Sequence, residues 1–133
     1  MVSVHFISDL ESTKLKITSP NADVIYYNND IQALNAIEEL TPSVVLLSYN
    51  FKQQQTPKYI KHLLTASPMS RIIIVGDKIR EAEILACLIS GAKGYQEMDR
   101  LNEYAEKLIR VIDAGEAWIT RRLVAILLDS LRS

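Results

Sequence analysis

The sequence predicts an α/β fold in which helices cover both faces of one parallel sheet. Two runs, SVVLLS at 43–48 and RIIIVG at 71–76, are almost entirely apolar, and such runs are typical of strands buried on both faces. Segments of strand and helix character alternate five times along the chain, which predicts right-handed βαβ units. With 133 residues, we expect one domain, built as a three-layer, doubly wound sheet of five strands.

The first third of the chain predicts two strands and a helix. VSVHFI is β-rich, and a second strand follows at Val24–Tyr27. Asp30 is placed to cap a helix that Pro42 ends. The apolar residues of that helix lie one turn apart: Ile31, Leu34, Ile37 and Leu40. The segment ESTKLKITS, before the second strand, has only weak helical periodicity.

The middle of the chain predicts two buried strands, each followed by a helix. A glutamine-rich stretch after Ser48 is interpreted as a mobile loop. Thr56 and Pro57 then suit the cap and the first position of a helix. The helix REAEILACLISGA follows the next strand, and Gly91 is placed to end it. A short fifth strand is expected at Gly94–Gln96.

The last third predicts two helices. Asp99 is placed to cap the first, whose apolar face is formed by Leu101, Tyr104, Leu108 and Ile112. Thr120 is placed to cap the second, RRLVAILLDSLRS. We expect residues 1–115 to form the α/β domain and residues 116–133 to form an added sixth helix or linker.

Composition excludes several classes of function. The net charge is -1, so no overall field attracts nucleic acid or acidic lipid. A single cysteine, Cys87, excludes an internal disulfide and fits the cytoplasm. No apolar run approaches the roughly 20 residues needed to span a membrane, and the start of the chain lacks the pattern of a secretory signal. His5 and His62 have no ligand-like neighbours in sequence, so no metal site is expected.

The carboxyl ends of the predicted strands are where function is expected in such a sheet. Ser8 and Asp9 follow the first strand, and Ser48 ends the third. Gly76 ends the fourth strand and Met98 follows the fifth. No Gly-rich phosphate loop or catalytic dyad is present, so we expect no enzyme.

Four segments are informative when taken together: PSVVLLS, RIIIVG, ISGAKGYQEMD and IRVIDAGEAWITRRL. They resemble the receiver domain of bacterial response regulators, specifically the LuxR/NarL-type branch that carries a helix-turn-helix. The resemblance covers essentially the whole chain. It implies a receiver (flavodoxin-like) sheet of order 2-1-3-4-5 with an extra C-terminal helix, in a cytoplasmic transcriptional regulator that contacts DNA only through a separate domain outside this chain.

The resemblance also implies a phosphorylation pocket, and this chain departs from it. The family has two acidic residues after the first strand, an acceptor aspartate after the third, a hydroxyl residue after the fourth and a lysine after the fifth. Asp9 is kept, whereas Ser8, Ser48, Gly76 and Met98 replace the others. One carboxylate holds Mg²⁺ poorly, and only a carboxylate forms an acyl phosphate. We therefore expect a degenerate, pseudo-receiver pocket, with Ser48 bonded to the backbone of its own turn.

The motif Trp118-Ile119-Thr120-Arg121 leaves two interpretations open. It resembles the W-[FLM]-[ST]-R motif of the VpsT-like subgroup, which binds cyclic di-GMP and dimerises, and departs from it only at Ile119. An arginine fork and a helix N-terminus suit a phosphate or a guanine edge. In ordinary members of the branch, the tryptophan packs on the domain and the hydroxyl caps the helix.

The last helix carries an apolar stripe, and it suggests a homodimer. Each member has another three or four residues away: Leu123, Ile126, Leu127 and Leu131. Such a stripe packs either on its own domain or on a partner helix. The sequence thus predicts a regulatory domain that signals by dimerisation without phosphorylation. The alternatives are a cyclic di-GMP sensor and a stand-alone interaction protein.

Overall fold

A computed structural model describes residues 1–9 and 16–132. One parallel sheet has the order β2-β1-β3-β4-β5, as predicted. The strands are β1 Val2–Ile7, β2 Ala22–Tyr27, β3 Val44–Ser48, β4 Arg71–Gly76 and β5 Gly94–Glu97. The helices are α1 Asp30–Leu40, α2 Tyr49–Lys52, α3 Thr56–Ala66, α4 Glu81–Ile89, α5 Leu101–Asp113 and α6 Arg121–Arg132, with short 3-10 turns at Gln53–Gln55 and Met98–Arg100. The weak helix ESTKLKITS lies mostly outside the described residues, and 16–19 have no regular structure.

Two apolar cores lie on opposite faces of the sheet. One face carries Val45 and Leu47 of β3, covered by α1, α3, α4 and the start of α6. The other carries Val44 and Leu46, covered mainly by α5. Alternate residues of β3 therefore enter different cores, which is why the strand is apolar throughout. This arrangement confirms the three-layer, doubly wound prediction.

Two of the predicted helix starts are displaced by one residue. Asn29, not Asp30, caps α1, because its side-chain oxygen accepts a hydrogen bond from the Gln32 amide at 3.0 Å. The Asp30 carboxylate instead accepts a 2.6 Å hydrogen bond from the Lys52 ammonium. Thr56 is the first residue of α3 rather than its cap, and its hydroxyl donates to the Gln53 carbonyl at 2.6 Å.

The start of α5 and the face of α1 also differ from prediction. Asp99 lies in the 3-10 turn and makes no capping hydrogen bond, because α5 begins only at Leu101. In α1, Ile31 is 67% and Leu40 51% exposed. The buried residues are Ala33 and Ile37, because a helix this short presents only its middle turns to the sheet.

The glutamine-rich stretch is ordered rather than a mobile loop. It forms α2 and the 3-10 turn that leads into α3. Tyr49 is buried in the core beneath it, and Lys52 reaches back to Asp30. Among the helices within 1–9 and 16–132, none is long and apolar enough to cross a membrane.

Candidate functional site

A cavity of about 280 Å³ opens at the carboxyl edge of the sheet. β1, β3 and β4 are neighbours there, with Ile7 beside Leu47 and Ser48 beside Val75. The cavity is lined by Ser48, Asn50, Gly76, Asp77, Met98 and Asp99. The structure thus brings together three of the five residues that the sequence placed in the degenerate pocket, Ser48, Gly76 and Met98.

Ser8 and Asp9 are not part of this lining. Ser8 is buried at the end of β1, and its hydroxyl lies 3.5 Å from an Asp9 carboxylate oxygen. Asp9 is exposed. Within the described residues, no group of three or more histidine, cysteine, aspartate or glutamate side chains could hold a metal ion.

Ser48 was expected to bond to the backbone of its own turn, and this prediction is wrong. It precedes α2 but makes no capping hydrogen bond. Because Ser48 ends a central strand, it is only 2% exposed. Its hydroxyl therefore faces the cavity without a partner among the described residues.

Gly76 is enclosed by an apolar side chain. A Cβ built on Gly76 would lie 2.4 Å from Cγ1 of Ile79 and 3.4 Å from the ring of Tyr95. Ile79 therefore fills the space that a threonine or serine side chain at position 76 would need. The Tyr95 hydroxyl lies 2.9 Å from the Glu97 carboxylate and 3.1 Å from the Gly76 carbonyl oxygen. Burial, reinforced by Glu97, raises the pKa of Tyr95 above its usual range.

Trp118 is anchored to the first residues of β5. Its amide donates to the Lys93 carbonyl at 2.9 Å, and its carbonyl accepts from the Tyr95 amide at 3.0 Å. These bonds form a parallel bridge between Trp118 and Gly94. The indole N–H donates to the Gln96 side chain at 3.0 Å. The tryptophan therefore packs on the domain, as one of the two sequence interpretations expects.

The rest of the motif is divided between the core and solvent. Ile119 packs against the first core. The Thr120 hydroxyl accepts from the Leu123 amide at 3.2 Å, so the predicted cap of α6 is confirmed. Arg121 is exposed, and it makes no ion pair or hydrogen bond with the described residues.

A groove of about 420 Å³ lies beside the motif, between α4, β5, α5 and the start of α6. Trp118 and Thr120 line it, but Arg121 does not. The arginines that line it are Arg100 and Arg122, which the sequence analysis missed. Helical geometry could have indicated Arg122, because successive residues of a helix point about 100° apart. Arg121 and Arg122 therefore cannot both face the same groove. Arg122 forms a 2.9 Å ion pair with Glu81 of α4.

The domain covers only part of the apolar stripe of α6. Leu123 is buried in the first core, and Ile126 and Leu127 are half-buried. Leu131 is 71% exposed. Two neighbours that the sequence analysis passed over, Val124 and Leu128, are exposed as well. The exposed members lie at spacings of four and three residues, which is the spacing of a helix-pairing seam.

His5 is a buried polar residue in the middle of the sheet. It lies in the middle of β1, fully buried, with its ring centroid 4.9 Å from that of Tyr27. Neither ring nitrogen has a hydrogen-bond partner in the described structure. Burial lowers the pKa of His5 below its usual value.

Comparison with known proteins shows which proteins the chain resembles in sequence and in fold. No protein-family model matches the chain. It is 27% identical over 106 residues to the nitrate/nitrite response regulator protein NarL of Escherichia coli K12, covering 80% of this chain and 49% of that protein. The chain therefore spans about half the length of this curated relative.

Solved structures share the fold over nearly the whole chain. A LuxR-family two-component response regulator from Aurantimonas sp. SI85-9A1 superposes with a TM-score of 0.79 at 17% identity, covering 99% of both chains. The isolated receiver domain of RcsB from Salmonella enterica serovar Typhimurium gives 0.80 at 16%, covering 97% of this chain and 99% of that one. The chain thus has the fold of these receiver domains. Its sequence is similar to a NarL-type response regulator.

Proposed function

We propose that this chain is the regulatory receiver domain of a bacterial transcriptional regulator, and that it signals without aspartyl phosphorylation. The observation that supports this proposal is the lining of the carboxyl-edge cavity. By the family resemblance, Ser48 corresponds to the acceptor carboxylate of a receiver and Met98 to its lysine, and both residues line the cavity. A hydroxyl cannot form an acyl phosphate, and a thioether offers no positive charge to a phosphoryl group.

The packing of Ile79 also supports this proposal. Its side chain occupies the space next to Gly76 that a phosphate-reading hydroxyl residue would need. Core side chains are close-packed, so that space is not recovered without moving a neighbour. The pocket thus lacks a carboxylate acceptor and a lysine, and a hydroxyl residue at position 76 would have to displace the Ile79 side chain.

Incubation with acetyl phosphate and Mg²⁺ tests this proposal. Intact-mass measurement should show no added phosphoryl group on the wild-type chain. The variant Ser48→Asp restores the acceptor alone, and we expect it to stay unlabelled, because Gly76 and Met98 remain. Stable labelling of either protein would contradict the proposal.

We further propose that the domain forms a homodimer through the exposed seam of α6. Val124, Leu128 and Leu131 are exposed apolar residues on one helix, and Ile89 of the adjacent α4 is 62% exposed. Exposed apolar groups that adjoin one another usually mark an interaction surface. Leu128→Glu should convert a dimer to a monomer in light-scattering chromatography. Ser130→Glu adds the same charge to an exposed position on the other side of α6 and serves as the control. A wild-type monomer at high concentration would contradict this assignment.

Cyclic di-GMP binding at the Trp118–Arg121 motif is a second proposal. It is supported by Arg121, an exposed guanidinium without a partner in the described structure, at the N-terminus of α6. Calorimetric titration should show binding that Arg121→Ala abolishes, while Arg122→Ala, whose guanidinium pairs with Glu81, retains more of it. Absence of binding at tens of micromolar would leave Thr120 as a helix cap and the motif as structural.

Contact with DNA is assigned to a separate domain. The chain corresponds to about half of NarL, and its net charge is -1. A helix-turn-helix encoded after Ser133 would support a transcriptional regulator over a stand-alone interaction protein. The purified domain alone should not retard DNA in a gel-shift assay.

A further inference from the structure

The cavity at the carboxyl edge carries negative charge that its own lining does not balance. Asp77 and Asp99 both line it, and among the residues that the structure describes the lining contains no lysine, arginine or histidine. Neither carboxylate forms an ion pair in the described structure. The neighbouring Arg100 is directed away, with its guanidinium 3.2 Å from Glu103. Lys78, next to Asp77, is exposed.

The same cavity is lined by the buried residue Ser48, whose hydroxyl has no hydrogen-bond partner among the described residues. Ser48 is 98% removed from solvent, since only 2% of it is exposed, and it makes no hydrogen bond with the described residues. Buried polar groups in proteins nearly always have a partner. A hydroxyl that is unsatisfied within the chain and opens onto a cavity points to a partner from outside the chain.

We propose that this cavity binds a small organic cation, namely a primary ammonium on a short apolar chain. An ammonium donates three hydrogen bonds, and the acceptors on offer are the carboxylates of Asp77 and Asp99 and the hydroxyl of Ser48. The Met98 side chain supplies apolar contact for the carbon chain. The volume of about 280 Å³ is near the lower end of small-molecule sites, which begin at roughly 300 Å³.

Other ligand classes fit this lining less well. Among the described lining residues, an inorganic anion would meet two carboxylates and no cation. A divalent metal needs several oxygen ligands close together, and within 1–9 and 16–132 no group of three or more metal-ligating side chains exists. The inference rests on the proposed function in one respect, because it requires a pocket that phosphotransfer chemistry does not use.

The test is a titration of n-butylammonium chloride into the ¹⁵N-labelled chain, followed by amide NMR at constant ionic strength. n-Butanol is the matched neutral probe. We expect saturable shifts that cluster at Ser48, Gly76, Asp77 and Asp99 with the ammonium, and much smaller shifts with the alcohol. Asp77→Asn and Asp99→Asn should each weaken binding by roughly three- to tenfold, since exposed charges are partly screened. Asp113→Asn, a matched change of an exposed carboxylate on α5, should leave it unchanged.

A further variant keeps the test decisive if the aspartate variants unfold. Met98→Lys places a tethered ammonium in the cavity and should abolish binding of the free probe. Shifts that do not saturate, equal binding of n-butanol, or full binding by Met98→Lys would each overturn the inference. The acetyl phosphate assay on the same sample separates the two claims: labelling of the wild type contradicts the proposed function, whereas failure to bind the amine contradicts only this inference.

Discussion

The two ends of β5 differ in how their polar groups are satisfied. At Gly94, the adjoining Trp118 segment pairs its amide, carbonyl and indole N–H with Lys93, Tyr95 and Gln96. At the other end, Met98 and Asp99 border a cavity whose Ser48 hydroxyl and two carboxylates have no partner among the described residues. The first end is accounted for by folding alone. The second is not, and polar groups that folding leaves unsatisfied are the better indication of a ligand.

The largest loss of stability is expected at the Gly94 end of β5, where the polar groups are paired. A Cβ at Gly94 would lie 2.2 Å from the Trp118 carbonyl oxygen. Because that neighbour is backbone held in a bridge, Gly94→Ala should cost about 2–4 kcal/mol of unfolding free energy. Urea denaturation followed by far-UV circular dichroism measures this. A loss of unfolding free energy below about 0.5 kcal/mol, which is usual for an exposed substitution, would show that the Trp118 segment is not firmly anchored.

A glycine-to-alanine change at Gly76, beside the cavity, should cost less unfolding free energy. A Cβ at Gly76 meets the Ile79 side chain, which can rotate away. We expect Gly76→Ala to cost about 1 kcal/mol, and the double variant Gly76→Ala with Ile79→Ala to show coupling rather than additive losses. Strict additivity in the denaturation cycle would indicate that Ile79 does not fill the space beside Gly76.

His5 extends the comparison to a buried group without partners in the described structure. Burial lowers its folded-state pKa below the unfolded value of 6.5, so the unfolded chain binds the proton first as the pH falls. Stability should therefore hold above neutrality and fall below pH 6.5, by up to about 1.4 kcal/mol per pH unit until the folded pKa is reached. Melting temperatures from pH 7.5 to 5.5 should show this slope. In His5→Phe the slope should largely disappear, and an unchanged slope would assign it to other groups.

The smallest effect is expected for the ion pair between Arg122 and Glu81. Both partners are exposed, and such pairs contribute between nothing and about 1 kcal/mol. Arg122→Ala should change the unfolding free energy by less than about 0.5 kcal/mol. A larger loss by thermal denaturation would mean that α6 depends on this contact more than on the burial of Leu123.

Periodicity and apolar runs predicted the sheet and its buried strands because β3 and β4 supply side chains to both cores. Helix starts were less predictable, because Asn29 and Asp30 are equally good caps by composition and only geometry chooses between them. The cavity was predicted in part. Ser48, Gly76 and Met98 follow from strand ends, but Asn50 and Asp99 enter the lining through α2 and the 3-10 turn, which the sequence pattern did not indicate.

The burial of the apolar stripe of α6 was likewise predictable only in part. Helical spacing marks Leu123, Ile126, Leu127 and Leu131 as apolar neighbours. It does not show which of them the domain covers, because that depends on how α6 lies against α4. The structure buries Leu123 and leaves Leu131 exposed, so the exposed seam includes residues that spacing alone did not single out.

The central claim is that the carboxyl-edge pocket can neither be phosphorylated nor bind a mimic of the phosphoryl group. Its most direct test is the amide NMR spectrum of the ¹⁵N-labelled chain with and without beryllofluoride and Mg²⁺. We predict superimposable spectra, because Ser48 offers no carboxylate to bind beryllium. Saturable shifts clustered at Asp9, Ser48 and Gly76 would contradict the account and show a working phosphorylation site.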